Sequence, residues 1–329
     1  MKRPRLATLG FFSVLALLAA TLTVLALRER EPTFQGKPMR EWVQAVYGKG
    51  YPDTNAILAI RQIGTNGLPW LLAELDSRDN GLKRRLYRAL NRFGMRPARF
   101  TSDVERQNWA RIGFGILGRK AAPAVPDLVE RLMQADSPWL AANVLTQMIG
   151  DEPKYHPNLP PLLAPGETDP LPAIRHQVTL AALQAMTNPI PSVRMAGASM
   201  LTYCSFAAEV AVPILIHGLK DRDEGVSRQC AAGLGQVTQR PVASIPPLIE
   251  ALSDPRTSVR MLAASSLGRY HRQAKTAVPA LLKARSDPKA VVRMAANKSL
   301  EMIDPETAAS IPDLPGFKLT PPATPQPSP

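Results

Sequence analysis

The chain has 329 residues, a formal net charge of +13, 5% aromatic residues and 33 prolines. That length allows two ordinary domains or one extended array, and few aromatics beside abundant Ala and Leu favour an array of helices with prolines near their starts. The two cysteines, Cys204 and Cys230, have no C-x-x-C spacing, so they exclude a disulfide framework, and Cys230 reads as a small buried hydrophobe.

Residues 6–27 carry no charge. As a helix they would span about 33 Å, enough to cross a bilayer core. Lys2, Arg3 and Arg5 precede the run with no acid among them, which predicts a cytoplasmic N-terminus and an extracytoplasmic body on the periplasmic side. Val24-Leu25-Ala26 offers the alternative of a cleaved signal and a secreted body, but the run is longer than most signal segments. No lipobox-like Cys follows it, which argues against a lipoprotein. Residues 1–30 hold five basic residues against Glu29, so the remainder carries a net charge of +9 and favours anionic partners.

Residues 31–53 read as a linker with an amphipathic capping helix over 38–48 that contains Trp42. Residues 80–102 hold Lys83, Arg84, Arg85, Arg88, Arg92, Arg96 and Arg99 and no acid. Arg84, Arg88 and Arg92 share one helical face. The strip is either a solvated face or a docking strip for anionic lipid, another polyanion or an acidic protein. Gly113, Gly115 and Gly118 spell G-x-G-x-x-G, but a helical segment precedes them instead of the strand that a nucleotide loop needs, so they read as a helix end.

The strongest signal is self-similarity. Pro213, Pro246, Pro279 and Pro312 follow one another at intervals of 33 residues. Asp221, Asp254 and Asp287 keep that period, as do Val226, Val259 and Val292, and Leu234, Leu267 and Leu300. Each unit has a Pro opening an apolar helix, a polar turn with Asp, and a second helix of small and apolar residues. Pro is suited to a first helical turn and Asp to a cap. One such hairpin cannot bury its apolar face alone, and stacking makes a continuous core. Upstream, Leu159–Leu163 mirrors Ile245–Ile249, and Asp169 and Arg175 mirror Asp254 and Arg260. Two wider gaps each leave room for one extra helix, with 103–116 and one of 173–186 or 190–203 as candidates. Residues 150–171 are the weakest helical stretch, and 315–329 form a Pro-rich tail expected to be disordered.

This pattern resembles the HEAT-repeat family and, more loosely, the HEAT-like repeats of phycobilin lyases. The opening Glu31–Val46 is similar to the segment after the anchor in bacterial membrane-anchored HEAT-repeat proteins. The resemblance covers about residues 54–314 and implies an all-α fold, an α-solenoid of two-helix repeats, here preceded by one transmembrane helix. HEAT units carry Asp in the turn and Arg early in the second helix. The matching positions are Asp254 with Arg260 and Asp287 with Arg293. Asn188 stands in the Asp place before Arg194, and Asp221 pairs with Arg228 one residue late, because Ser227 occupies the expected place. The resemblance implies that these side chains form a hydrogen-bonded ladder between repeats.

No cofactor or metal is expected. His156, His176, His217 and His271 have no ligand spacing, and neither a G-x-S-x-G elbow nor a Lys after a Gly-rich loop occurs. The carboxylates fall mainly in turns, where capping explains them. The expected function is a membrane-tethered scaffold that binds a protein partner without catalysis. Two alternatives remain: a basic solenoid gripping nucleic acid, which an extracytoplasmic body disfavours, and a lyase-type enzyme similar to the phycobilin lyases.

Overall fold

The computed structural model describes residues 31–48, 52–78, 101–134, 138–150, 162–163 and 166–310. The apolar run 6–27, the basic strip 83–99, the stretch 151–161 and the tail from 311 lie outside the described residues. No helix among the described residues is long and apolar enough to cross a membrane.

The described chain is helical apart from one small hairpin. In order, the elements are β1 (Thr33–Phe34), β2 (Lys37–Pro38), α1 (Met39–Ala45), α2 (Thr54–Ile63), α3 (Leu68–Leu75), α4 (Asp103–Leu117), α5 (Val125–Met133), α6 (Pro138–Ile149), α7 (Leu171–Met186), α8 (Pro191–Tyr203), α9 (Ala208–Gly218), α10 (Glu224–Gln236), α11 (Pro241–Ala251), α12 (Thr257–Gly268), α13 (Val278–Ala284), α14 (Ala290–Ile303) and α15 (Pro305–Ser310). Short 3-10 turns precede α3, α5, α9 and α13. All three candidates for extra helices are helical, as α4, α7 and α8.

The chain divides into two compact units, 1–128 with 147–171, and 129–146 with 172–329. In the first, β1 and β2 pair antiparallel, Thr33 opposite Pro38 and Phe34 opposite Lys37. The turn places Gln35 at φ 49° and Gly36 at φ 74°, a pair of left-handed residues that suits the twist of a two-residue hairpin. Trp42 of α1 secures it. Its indole Nε1 donates to the Phe34 carbonyl at 3.2 Å, and Lys37 Nζ sits 4.9 Å from its ring. The hairpin escapes the sequence reading because Gln-Gly lacks the usual Asn or Asp before Gly. Helix α2 begins on an Asp53 cap that accepts from the amides of Asn55 and Ala56. Gly113 and Gly115 lie inside α4, and only Gly118, at φ 48°, ends the helix. Gly113 lets α3 approach, because a Cβ there would stand 2.4 Å from Leu71 Cδ2.

In the second unit, α8, α10, α12 and α14 pack each against the next, and α9, α11 and α13 pack against the helices that follow them. The core is small and periodic: Val193, Val226, Val259 and Val292 are fully buried, as are Leu201, Leu234, Leu267 and Leu300. Two repeating contacts fix the approach of the second helices. Ser266 Oγ donates to the Ala231 carbonyl at 2.8 Å, and Ser299 Oγ donates to the Ala264 carbonyl at 2.7 Å. Gly235 and Gly268 make room for those serines, since a Cβ at either would meet the serine Oγ at 2.5 and 2.7 Å respectively.

The prolines require a correction. Pro213 and Pro246 do not open helices; they lie inside α9 and α11. Burial of Ala208, Ala211, Val212 and Leu215 explains α9, whose apolar stripe starts a full turn before its proline. An interior proline costs about 3 kcal/mol, so that stripe overrides the local preference. Pro241 opens α11, and Pro279 falls in the first turn of α13 as expected. We predict that Gly268→Val lowers unfolding free energy by about 1–3 kcal/mol through overpacking against Ser299, measured by urea denaturation. A Gly268→Val, Ser299→Ala pair should recover part of the loss.

Candidate functional site

The turns of the second unit repeat one local structure. Asn188 Oδ1 accepts the Ile190 amide at 2.9 Å, Asp221 Oδ1 the Asp223 amide at 2.8 Å, Asp254 Oδ1 the Arg256 amide at 2.8 Å and Asp287 Oδ1 the Lys289 amide at 2.8 Å. Such Asx turns lead the chain into each second helix. They also leave turn carbonyls and the outer carboxylate oxygens to be satisfied by other groups.

Arginines do this. Arg194 Nε and Nη2 bind the two oxygens of Asp221 at 2.8 and 2.9 Å, while Nη1 donates to the carbonyls of Asn188 and Pro189. Arg260 repeats the arrangement, bidentate on Asp287 at 2.7 and 3.1 Å with Nη1 on the carbonyls of Asp254 and Pro255. Arg293 donates to the carbonyls of Asp287 and Pro288. Each guanidinium thus holds its own turn by the carbonyls. Where a following Asp exists, it reaches that carboxylate one repeat on, a geometry in which the planar fork is strongest.

The middle rung departs from the expected pairing. Arg228 is exposed on α10 and binds none of the turn carboxylates, and Asp221 belongs to Arg194 instead. A residue one place late in a helix points about 100° away from the rung, so the displaced Arg cannot substitute. Ser227, fully buried, holds the rung position and donates to the Asp221 carbonyl. Arg256, which the sequence reading missed, completes the rung from the opposite side. Its Nε and Nη2 bind Asp254, each at 2.8 Å, and Nη1 reaches the Asp221 carbonyl and Ser227 Oγ, also at 2.8 Å. The available signal was the coincidence of a Ser in the Arg place with an extra Arg after the next Asp-Pro.

These contacts set the charges of the ladder. The Arg260 hydrogen bonds hold Asp287 below the usual carboxylate range, and the Arg256 hydrogen bonds do the same for Asp254. At Asp221, burial works against ionisation, but hydrogen bonding from Arg194 and the Asp223 amide outweighs it, so its pKa is also lowered. Cys204 and Cys230 are buried, which pushes their thiols up to about 11 and about 12, too high for a nucleophile at neutral pH. A second ion pair absent from the sequence reading lies in the first unit: Glu74, buried within α3, receives Arg106 Nε of α4 at 2.5 Å. It shows a carboxylate used for helix–helix packing and not for a turn.

Among the described residues, an open cleft lies at the first rung, lined by Thr187, Asn188, Pro189, Arg194, Asp221 and Arg222. Arg194 and Asp221 are spent on each other there. The second helices also present outward positions, and Met195 at the first of them lies against Gly225 of the next second helix, where a Cβ would stand 2.9 Å from the Met195 sulfur. Met195, Arg228, Met261 and Met294 are equivalent positions on α8, α10, α12 and α14; Arg228 and Met294 are exposed, and Met195 and Met261 are half-buried. No group of three or more potential metal ligands occurs among the described residues.

Residues 245–314 match the family model for HEAT repeats. No curated protein matches the chain. Among solved structures, the chain is similar to an engineered protein at 18% identity, over 80% of this chain and 73% of that one, with a TM-score of 0.40. It is similar to a designed armadillo repeat protein in complex with the peptide (KR)4 at 15% identity, over 72% and 99% of the two chains, with a TM-score of 0.42. It is also similar to Kap121p bound to Nup53p at 14% identity, over 80% of this chain and 29% of that one, with a TM-score of 0.48. Residues 245–314 are HEAT repeats.

The lowered Asp pKa values give these repeats an acid-sensitive stability. It is present in full above the unfolded carboxylate value of about 3.9 and is lost as pH falls through the folded values. Urea unfolding of the wild type below pH 4 should therefore weaken more steeply than that of Asp287→Asn. At neutral pH, Arg260→Ala should cost about 1.5–3 kcal/mol, because a half-buried charged hydrogen-bond pair is broken, whereas Arg228→Ala should stay within about 0.5 kcal/mol.

Proposed function

We propose that this protein is a membrane-tethered scaffold that binds a protein partner through the outward positions of its second helices, without catalysis. The observation that carries the reading is the register of α8, α10, α12 and α14. Their inner positions are consumed by packing and by the Asp–Arg rungs, while of the equivalent outward positions Arg228 and Met294 are exposed and Met195 and Met261 are half-buried. Stacked repeats offer such surfaces without needing a pocket. The armadillo and karyopherin structures named above hold a peptide and a protein respectively, and a similar use is what we propose here. The chemistry of the described residues needs no reaction to explain it: the perturbed carboxylates are engaged by arginines or, at Asp304, by Thr307, and the thiols are held protonated.

Tethering rests on the sequence alone. Residues 6–27 would form a single-pass anchor, with the body on the extracytoplasmic, periplasmic side, or the body would be secreted if the segment is removed. The strip Lys83–Arg99 would add a contact for anionic lipid or another polyanion.

Photo-crosslinking in cells tests the scaffold reading. Probes at 195, 228, 261 and 294 should each give a discrete protein adduct, and probes at the buried positions 226 and 259 should give none. If no outward position yields an adduct, the reading fails. A topology reporter after residue 329 should score as extracytoplasmic, and a cytoplasmic score would favour the nucleic-acid alternative.

A further inference from the structure

The charge of the second unit is unevenly distributed. Residues 172–255 balance, whereas residues 256–298 hold ten basic residues against Asp287 as their only acid, a net charge of +9. Part of this charge is internal to the ladder, since Arg256 and Arg260 are committed to Asp254 and Asp287. Six cations nevertheless stand exposed around α12–α14: Arg269, Arg272, Lys275, Lys283, Lys289 and Lys298. Ion pairing reduces this only slightly, with Lys298 3.7 Å from Glu301 on the same helix. A module of this sign raises the local concentration of acidic partners.

The outward positions of α12 and α14 are apolar. On α14, Val291 and Met294 are 49% and 46% exposed, and on α12 Met261 and Leu262 are half-buried. Methionine adapts its shape to incoming side chains at low energetic cost. Neighbouring helices lie about 8–10 Å apart, so Met261 and Met294 present apolar contacts at about that interval. A helical segment with apolar residues seven positions apart repeats at about 10 Å, which matches.

We propose that the outward face of α12 and α14 docks an acidic amphipathic segment of a partner protein, its apolar side chains seated on Met261, Leu262, Val291 and Met294 and its carboxylates facing Lys289 and Lys298, which flank Val291 and Met294 on α14. This rests on the scaffold reading and assigns its partner's chemistry. Nucleic acid fits the face less well. Single strands are held largely by aromatic stacking, and Tyr270, the only aromatic in residues 256–310, is 2% exposed. The arginines best placed for phosphate are already bound within the rungs.

The test uses the full chain in non-ionic detergent, with labelled probes read by fluorescence anisotropy. The probes are an 18-residue amphipathic peptide of Glu, Ala and Leu, an 18-residue polyglutamate and a 20-base-pair DNA duplex. The amphipathic peptide should bind at least tenfold more tightly than polyglutamate or DNA. Met261→Glu with Met294→Glu should weaken it at least tenfold, Met294→Ser several-fold, and Lys289→Glu with Lys298→Glu several-fold at low salt, all with unchanged thermal unfolding. The inference is overturned if polyglutamate or DNA binds equally well, if the Met294→Ser protein binds like wild type, or if the peptide does not bind. Crosslinking separates this from the broader reading. An adduct at 261 or 294 with a partner lacking any acidic amphipathic segment overturns the inference alone, whereas no adduct at any outward position removes both.

Discussion

A turn that caps a helix with its own Asp side chain leaves carbonyls facing its own second helix and a carboxylate facing the preceding repeat, and each of those groups needs a donor. In the second unit a guanidinium meets that need at every rung. Arg194 and Arg260 each join two consecutive turns through carbonyls on one side and a carboxylate on the other. The contact between repeats is therefore directional as well as hydrophobic. Valines, leucines and alanines in the core can slide with little penalty, whereas a bidentate Arg–Asp pair fixes register. The serine bonds from Ser266 and Ser299 at the far ends of the helices fix it a second time. With both ends of α10, α12 and α14 pinned, the outward positions recur in a regular row, and that row is the surface proposed for partner binding.

Burial of the ladder has a consequence for its energetics. Arg260 and Asp287 have side chains 12% and 9% exposed, and Arg194 and Asp221 have 8% and 14%. Charges at that depth lose much of their hydration, so their mutual hydrogen bonds replace water more than they add net attraction. The ladder then contributes specificity of stacking, with the bulk of the stability coming from the buried apolar residues. Breaking one member is costly because the other is left without a partner.

Much of the repeat architecture is legible in the sequence because several independent positions share one period. Valine, leucine and aspartate at intervals of 33 residues locate the second helices, their buried faces and their turns. The features that escaped are those in which a local rule is overridden from a distance. Pro213 and Pro246 suggest helix starts, yet buried side chains upstream extend the helices past them. Glu74 is an acid in an apolar stretch, and only the approach of Arg106 from α4 explains it. Gln35-Gly36 makes a hairpin because Trp42 holds the strand that precedes it. Arg256 is the most instructive case. Its role depends on Ser227, 29 residues upstream, having vacated a place that arginine fills in neighbouring repeats. For the candidate binding surface, sequence periodicity locates the equivalent outward positions, but which of them face solvent follows from packing alone.

The claim that every rung requires one guanidinium is tested most directly by moving that group. Unfolding free energies would be measured by urea denaturation for Arg256→Ala, for Ser227→Arg, and for the two combined. Loss of Arg256 should destabilise the chain by about 1.5–3 kcal/mol, and adding Ser227→Arg to that background should restore at least half of the loss, since the new arginine occupies the position held by Arg194 and Arg260 in their own rungs. A neutral Arg256→Ala, or a combined variant no more stable than Arg256→Ala alone, would contradict the account.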